Sequence, residues 1–176
     1  MICFTYLDIP VGKMIAAATN DGLCLFDFLY RKNIDKIVNR IETNTGEKLI
    51  EKDHPLFRDL SLQINEYFTG ERKEFSLPLH FAGSSFQQTV WNALLTIPYG
   101  QTRTYEEQSI YLKNEKAIRA VATANGQNGI AIIVPCHRVI GKDGNLTGYA
   151  GGLPTKKRLL DLEKKYSGIK SQSELF

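Results

Sequence analysis

The chain has 176 residues and a mass of 19.9 kDa, enough for one domain or two small ones. Hydrophobic residues make up 43% and charged residues 23%, so neither general disorder nor a collagen-like repeat describes it. The net charge of +3 is unevenly spread, because residues 1–82 carry 10 Lys/Arg and 12 Asp/Glu whereas residues 83–176 carry 12 Lys/Arg and 7 Asp/Glu. A basic second half indicates an acidic partner such as nucleic acid, although ordinary charge fluctuation explains it equally well.

No segment of the sequence is typical of a membrane or secreted protein. The longest apolar run, Ile130–Pro135, is far shorter than the roughly 20 residues that span a bilayer, and no signal peptide is visible. The three cysteines, Cys3, Cys24 and Cys136, are widely separated and form no CxxC pair. We therefore expect a cytoplasmic protein without disulfides and without a bound metal.

The first third of the chain predicts strands followed by helices. Apolar stretches at residues 1–7, 13–19 and 23–30 are typical of strands in a small antiparallel sheet, with a hairpin turn at residues 20–22. Apolar residues at helical spacing predict one helix over residues 34–41 and another over Pro55–Phe68, ended by Gly70. The extended, proline-containing segment 72–83 puts a boundary near Gly83, so we expect an α/β domain over residues 1–83.

The second half predicts helices alone. Ser84 is a candidate N-cap for a helix that ends near Leu95, and Thr104 is one for a helix that ends at Tyr111. Another helix is expected from residues 114 or 115 to Gly126. Two short helices joined by a tight connection outline a helix-turn-helix, so we expect an all-α domain over residues 84–170 and a polar tail over 171–176.

The helix around Arg119 presents few large side chains. Its small residues share one face, and Arg119 projects away from most of them. The residues of that face are Ala117, Ala120, Val121 and Ala124. Such a slim helix can approach a nucleic-acid groove closely, but a plain exposed arginine on an alanine-rich helix is the commoner explanation.

The apolar run Ile130–Pro135 leads directly to Cys136 and His137. A free thiol has a pKa of about 8.5, and a neighbouring histidine or cation increases its nucleophilicity at neutral pH. Cys136 is therefore a candidate nucleophile, although a lone cysteine at the end of an apolar run is more often inert and buried.

Two further features accompany this cysteine. The predicted last helix has a stripe of leucines, and Glu163 falls inside that stripe, where a carboxylate needs a partner. His137 and a lysine at the rim of the stripe are equally good candidates. The glycine-rich segment 147–152 contains one aromatic residue, Tyr149, and is either the wall of a pocket for a planar ligand or a flexible loop.

Together these segments resemble the O6-alkylguanine-DNA alkyltransferases, also called methylated-DNA–protein-cysteine methyltransferases. The resemblance covers most of residues 84–163 and extends weakly to residues 7–12. Residues 135–141 are similar to the family's active-site motif, and residues 147–152 to its substrate loop in constitutive bacterial members. Thr104-Tyr105 and Arg119-Ala120-Val121 are similar to the two ends of its helix-turn-helix.

The resemblance implies a ribonuclease-H-like N-terminal domain and a single-turnover repair enzyme. Such an enzyme transfers the alkyl group of O6-alkylguanine in DNA, with O4-alkylthymine as a second candidate substrate, irreversibly to its own Cys136. The helix-turn-helix would bind double-stranded DNA in the minor groove while the alkylated base is rotated out into a pocket. The expected protein is a monomer without a cofactor.

The resemblance also implies a role for each site residue. Cys136 accepts the alkyl group, His137 takes the thiol proton through a water, and Glu163 orients His137. Tyr105 donates a proton or hydrogen bond to the leaving guanine, and Asn128 joins the recognition helix to the active-site turn. The remaining assignments are substrate contacts by Tyr149, Pro135, Ala150 and Gly151, and DNA contacts by Arg119, Thr104, Ala120 and Arg138.

Three other functions are compatible with parts of the sequence. A damage sensor would rotate the base out without reacting, but non-reacting relatives replace the cysteine that is present here as Cys136. A cysteine hydrolase using Cys136 and His137 would also need an oxyanion hole. A transcription factor would use the helix-turn-helix alone and usually dimerise, and no dimerisation segment is visible.

Overall fold

A computed structural model of the chain describes residues 1–168, so the predicted tail 171–176 lies outside the described residues. The elements of the first half are β1 (Ile2–Ile9), β2 (Gly12–Thr19), β3 (Gly22–Phe28), α1 (Ile34–Thr45), β4 (Leu49–Glu51) and α2 (Pro55–Thr69). Those of the second half are α3 (Ser85–Leu94), β5 (Arg103–Thr104), α4 (Tyr105–Tyr111), α5 (Ile118–Gly126), β6 (Val139–Ile140) and α6 (Leu153–Tyr166). The predicted order, an α/β part followed by a helical part with a helix-turn-helix in α4 and α5, is confirmed.

The first four strands form one sheet in the order β3-β2-β1-β4. The pairs β1–β2 and β2–β3 are antiparallel as predicted. β4 was not predicted and pairs parallel to β1, which makes the sheet mixed. It has only three residues and no alternation of buried and exposed side chains, so the sequence carries no signal for it. In the second half, β5 and β6 add a two-residue parallel pair to a part predicted to be helical throughout.

β3 lies at the edge of the sheet but is covered by the rest of the chain. All seven of its residues are buried. Its outer edge bonds to two other segments: Leu23 N donates to Pro78 O at 2.8 Å, and Phe26 N donates to Gly129 O at 2.8 Å. Ala131 N returns a bond to Phe26 O at 2.6 Å. The edge that could otherwise pair with another chain is thus filled, and the run after residue 129 is fixed to β3.

One hydrophobic core joins the two halves. It contains side chains of β2, β3 and α2 from the first half, and of α3, the run 130–134 and α6 from the second. Its buried members include Met14, Phe26, Phe28, Leu60, Tyr67, Trp91, Leu94, Ile132, Val134 and Leu159. The segment that precedes the candidate nucleophile is therefore held by contacts from both halves.

Local capping signals account for where the helices begin. Ser84 and Gln87 form a reciprocal capping box at α3, and Thr104 and Glu107 form one at α4, as their spacing predicts. α5 begins with a 3-10 turn over residues 115–117, and Gly70 ends α2 in a left-handed conformation. Within residues 1–168, no helix is both long and apolar enough to cross a bilayer.

Candidate active site

A cavity of about 310 Å³ opens where the end of α5, the loop after β3 and the glycine-rich loop meet. Its lining includes Arg31, Tyr105, Asn125, Asn128, Cys136 and Tyr149. The structure therefore brings together residues that lie more than a hundred positions apart in the sequence. A partly apolar cavity with a few polar groups is typical of a small-ligand site.

Cys136 reaches this cavity because the run before it is fixed. Ile130 to Val134 are buried, and a 3-10 turn over Cys136–Arg138 follows Pro135. The turn leaves Cys136 partly exposed at the cavity, whereas Cys3 and Cys24 are buried. Of the three thiols, Cys136 is the one placed to react with a ligand in the cavity.

The environment of Cys136 favours the neutral thiol. Burial of its sulfur raises the pKa of Cys136 above its ordinary value, and the hydrogen bond from Asn128 opposes this only in part. At neutral pH the group is therefore protonated, and a base must remove its proton before or during attack. His137 is the adjacent candidate.

His137 and Glu163 form a fully buried pair. His137 Nε2 lies 2.6 Å from Glu163 Oε1, and both side chains have no exposed surface. Burial lowers the pKa of His137 although Glu163 acts in the opposite direction, so the ring is neutral at neutral pH. A carboxylate only accepts hydrogen bonds, so Nε2 carries the ring proton and Nδ1 keeps its lone pair. Nδ1 has no partner among the described residues and is available to take a proton.

Glu163 is held by four donors from different parts of the chain. In addition to His137, Tyr67 Oη donates to Oε1 at 2.7 Å, Gly100 N to Oε2 at 3.2 Å and Arg138 Nε to Oε2 at 2.9 Å. Burial on its own would raise the pKa of Glu163, but His137 and Arg138 outweigh it and hold that pKa well below its usual range. Of the two partners considered from the sequence, the structure selects His137 over a lysine.

The predicted DNA contact by Arg138 is wrong. Arg138 is 6% exposed, bonds Glu163 through two nitrogens and donates from Nη1 to Ile97 O at 2.6 Å. Its guanidinium also lies over the ring of Tyr99, 5.7 Å from the centroid. It neutralises the buried carboxylate and has no free group to offer a phosphate.

Asn128 connects the end of α5 to the active-site turn. Its Nδ2 donates to Val134 O at 2.9 Å and to Cys136 Sγ at 3.3 Å, and its Oδ1 accepts from Ile130 N at 2.9 Å. The side chain is 3% exposed. The structure therefore places it where the resemblance expected a joining residue.

The glycine-rich loop supplies one wall of the cavity, but only part of the predicted substrate contacts lie there. Tyr149 and Ala150 line the cavity. Gly151 packs behind it against Phe28, and its carbonyl accepts from Tyr30 Oη at 3.0 Å. Pro135 lines a separate cleft on the other side of the turn. The contacts predicted for Gly151 and Pro135 are thus not found in the cavity.

Lys156 is a site residue that the sequence analysis missed. It is fully buried in α6, and its Nζ donates to Val139 O at 2.6 Å and to Thr147 O at 2.9 Å. It thereby ties the glycine-rich loop to the active-site segment. Its position seven residues before Glu163, two helical turns away on the same face, was a usable signal.

Replacing Lys156 by methionine tests this tie. We expect Lys156→Met to lower the free energy of unfolding by about 1–2 kcal/mol, because the carbonyls of Val139 and Thr147 lose their buried donor. Proteolysis should then occur faster at residues 147–152, as measured by limited digestion and mass spectrometry. Lys157→Met on the exposed face of α6 is the matched control. Unchanged protection of the loop would contradict the role given to Lys156.

The face formed by α4 and α5 carries the other predicted contacts. Arg119 and Ala120 are exposed on α5, whereas Val121 and Ala124, predicted on the same face as Ala120, are buried. Thr104 caps α4 by accepting from Glu107 N at 3.1 Å. Tyr105 Oη donates to Thr147 O at 3.1 Å at the cavity rim. Within residues 1–168, no hydrogen bond or ion pair engages the guanidinium of Arg119.

A second buried ion pair braces this site from the first half of the chain. Asp27 in β3 is fully buried and lies 2.5 Å from Arg31 Nη1. The same guanidinium donates to Asn128 O at 2.8 Å and to Gly126 O. Arg31 therefore connects the N-terminal sheet to the end of α5 and to the residue that contacts Cys136.

The fold and the site define a class: a two-part protein in which a helix-turn-helix adjoins a cavity lined by a partly exposed cysteine, with a buried histidine–glutamate pair next to it. Comparison with known families agrees in both parts. Residues 2–81 match the ribonuclease-like domain, and residues 85–165 the DNA binding domain, of 6-O-methylguanine DNA methyltransferase. The chain belongs to this family.

Individual relatives are similar over nearly the whole chain. A methylated-DNA–protein-cysteine methyltransferase of Methanosarcina acetivorans is 45% identical over 91% of this chain and 97% of its own. The crystal structure of the Mycobacterium tuberculosis O6-methylguanine methyltransferase is 41% identical, with a TM-score of 0.79 and coverage of 100% of this chain and 99% of its own. The M. tuberculosis protein solved in complex with DNA is also 41% identical, with a TM-score of 0.79, and covers 93% and 94%.

Proposed function

We propose that this chain repairs alkylated DNA by taking the alkyl group of O6-alkylguanine onto Cys136, once per molecule. The observation that carries the proposal is the position of Cys136 in a cavity of about 310 Å³ with a buried His137–Glu163 pair behind it. The cavity is large enough for one base and lies beside an exposed face of α4 and α5. Methyl transfer to cysteine is also the activity named for the relatives.

The proposed chemistry balances without a cofactor. The sulfur of Cys136 attacks the alkyl carbon, so a carbon–sulfur bond forms as the bond from that carbon to O6 breaks. The thiol proton passes through a bridging water to Nδ1 of His137, and Glu163 stabilises the resulting imidazolium. A hydrogen bond from Tyr105, whose hydroxyl must first leave Thr147 O, stabilises the leaving guanine; if the proton itself transfers, Tyr105 regains one from solvent. The product is a stable thioether, so the protein acts once.

The proposed DNA complex uses the surface of α4 and α5. We place this surface in the minor groove, with the alkylated base rotated into the cavity and Arg119 in the space it leaves. Three observations support this arrangement: the small exposed side chains of α5, the free guanidinium of Arg119, and the DNA complex of the similar M. tuberculosis protein. The protein is proposed to bind as a monomer.

Intact-protein mass spectrometry tests the function directly. After incubation with a duplex carrying one O6-methylguanine, we expect a gain of about 14 Da that maps to Cys136 and stops at one equivalent. Cys136→Ser and a duplex with unmodified guanine should give no gain. Binding to the lesion without a mass gain in the parent protein would instead indicate a damage sensor.

The proposed role of Arg119 predicts a difference between duplex and single-stranded substrates. Arg119→Ala should slow methyl transfer from duplex DNA by about tenfold, because nothing then fills the vacated stack. Transfer from a single strand, which has no base pair to replace, should change by less than about twofold. Quenched-flow rates on both substrates measure this. Lys116→Ala, a neighbouring exposed cation, should affect both substrates alike; equal losses for Arg119→Ala would contradict the assignment.

A further inference from the structure

Asn125 lies in the last turn of α5 and forms part of the cavity wall between Ala122 and Gly126. The residue is only 5% exposed. Neither its side-chain nitrogen nor its side-chain oxygen has a hydrogen-bond partner among the described residues. An amide that is buried and lacks partners for both atoms is uncommon in a folded protein and requires an explanation.

Asn128, three residues further on, lines the same cavity and shows the ordinary situation. Its nitrogen donates to Val134 O and Cys136 Sγ, and its oxygen accepts from Ile130 N. Those bonds hold the active-site turn and leave little capacity for a ligand. The amide of Asn125 makes none of these bonds, so it contributes nothing visible to the fold.

The unpartnered amide is unfavourable for the free protein. Burying an amide without hydrogen bonds costs stability, and leucine has nearly the same shape without that cost. The loss is recovered if a ligand in the cavity supplies the partners. Because both amide atoms are free, the complementary ligand presents an acceptor and a donor side by side.

O6-alkylguanine carries such a pair. Alkylation at O6 removes the proton from ring nitrogen N1, which becomes an acceptor next to the 2-amino donor. In O4-alkylthymine the corresponding positions are N3 and O2, and both are acceptors. An asparagine amide can therefore form two hydrogen bonds with O6-alkylguanine. With O4-alkylthymine it can form only one, because the asparagine oxygen then faces O2, which is also an acceptor.

We propose that Asn125 pairs with the N1 and 2-amino edge of the alkylated guanine and thereby selects O6-alkylguanine over O4-alkylthymine. This inference rests on the proposed function, since it concerns the base held next to Cys136. Asn125 is a specificity-determining residue that touches the substrate. The proton transfer and the alkyl transfer remain with His137 and Cys136.

The test compares two substrates with one pair of proteins. Rates of methyl transfer to Cys136 are measured for the full chain and for Asn125→Leu with duplexes containing O6-methylguanine or O4-methylthymine. We expect Asn125→Leu to slow the guanine reaction by about tenfold, to leave the thymine reaction within about twofold, and to unfold at the same or a higher temperature. Equal slowing of both reactions, or a guanine rate that does not change, would overturn the proposal.

Two controls show whether a slower reaction of Asn125→Leu comes from the lost contact with the base or from a general effect of the substitution. Gln127→Leu removes a half-buried amide that bonds Gln87 outside the cavity, and it should leave both rates unchanged. The parent protein should also react about tenfold more slowly with O6-methylhypoxanthine, which lacks only the 2-amino group; an equal rate would overturn the assignment without any variant. If the parent gains no methyl group from O6-methylguanine, the proposed function itself fails, and the role of Asn125 fails with it.

Discussion

Replacing Glu163 by glutamine should lower the free energy of unfolding by about 3–5 kcal/mol and slow methyl transfer at least about tenfold. The carboxylate is fully buried and is the counter-charge of Arg138, so Glu163→Gln leaves a buried guanidinium without its partner. The same change removes the negative charge that stabilises His137 once it has taken the thiol proton. Urea unfolding and single-turnover kinetics at neutral pH measure the two effects.

The pH dependence of the rate separates a role in proton transfer from a loss of stability. The thiol of Cys136 has a raised pKa and needs His137 as a base at neutral pH. As the pH rises from 7 to about 9, more thiolate forms without that base, so the deficit of Glu163→Gln should shrink. Tyr67→Phe is the matched control, because it removes one bond to the carboxylate but keeps its charge and its contact with His137. A deficit that is the same at every pH would contradict the relay.

The stability of the parent should also depend on pH through Glu163. Its folded pKa lies well below its usual range, so the group contributes stability above its unfolded pKa of about 4.3 and loses that stability as the pH falls further. In Glu163→Gln this acid-dependent loss should be missing. The curves of unfolding free energy for the two proteins therefore should converge below about pH 4.

The second large effect concerns Asp27, whose contribution to the free energy of unfolding falls as the pH rises, whereas that of Glu163 falls as the pH decreases. Burial raises the pKa of Asp27 to about 6, although Arg31 opposes the shift. Because the folded pKa lies above the unfolded value of about 3.9, the group's contribution to stability is greatest at low pH and is lost as the pH rises through 6. Relative to Asp27→Asn, the parent should lose about 2–3 kcal/mol of unfolding free energy between pH 4 and pH 8.

Urea unfolding of both proteins at several pH values measures that difference. The other titrating groups are common to parent and variant, so subtraction isolates Asp27. A difference that does not vary with pH would contradict a raised pKa.

Local signals in the sequence predicted most of the elements. The strands near the N-terminus, the capping residues Ser84 and Thr104, and the stop at Gly70 depend on neighbours within a few positions, and the structure confirms them. β4 was missed because it depends on pairing with β1 rather than on its own pattern.

Site residues could be predicted from the sequence where a polar side chain fell at a buried position and so required a hydrogen-bonding or charged partner. Glu163 on an apolar stripe needed a partner, and the structure supplies His137. Arg138 was misassigned because its place in a motif does not say which way the turn directs its side chain. Tyr67 and Asp27 could not be found, since each looked like a member of an ordinary helix or strand until the other half of the chain was packed against it.

The hydrogen bonds between residues 129–131 and β3 limit how the two halves of this protein can be recombined or can diverge in evolution. The helix-turn-helix and its cysteine depend on an edge strand that belongs to the first half, through the bonds of Phe26 and the brace of Arg31. The halves are therefore not interchangeable modules. A chimaera that joins the C-terminal half to the N-terminal half of a distant relative would misplace the cysteine unless the residues on β3 were transferred as well, so these two surfaces are expected to diverge together.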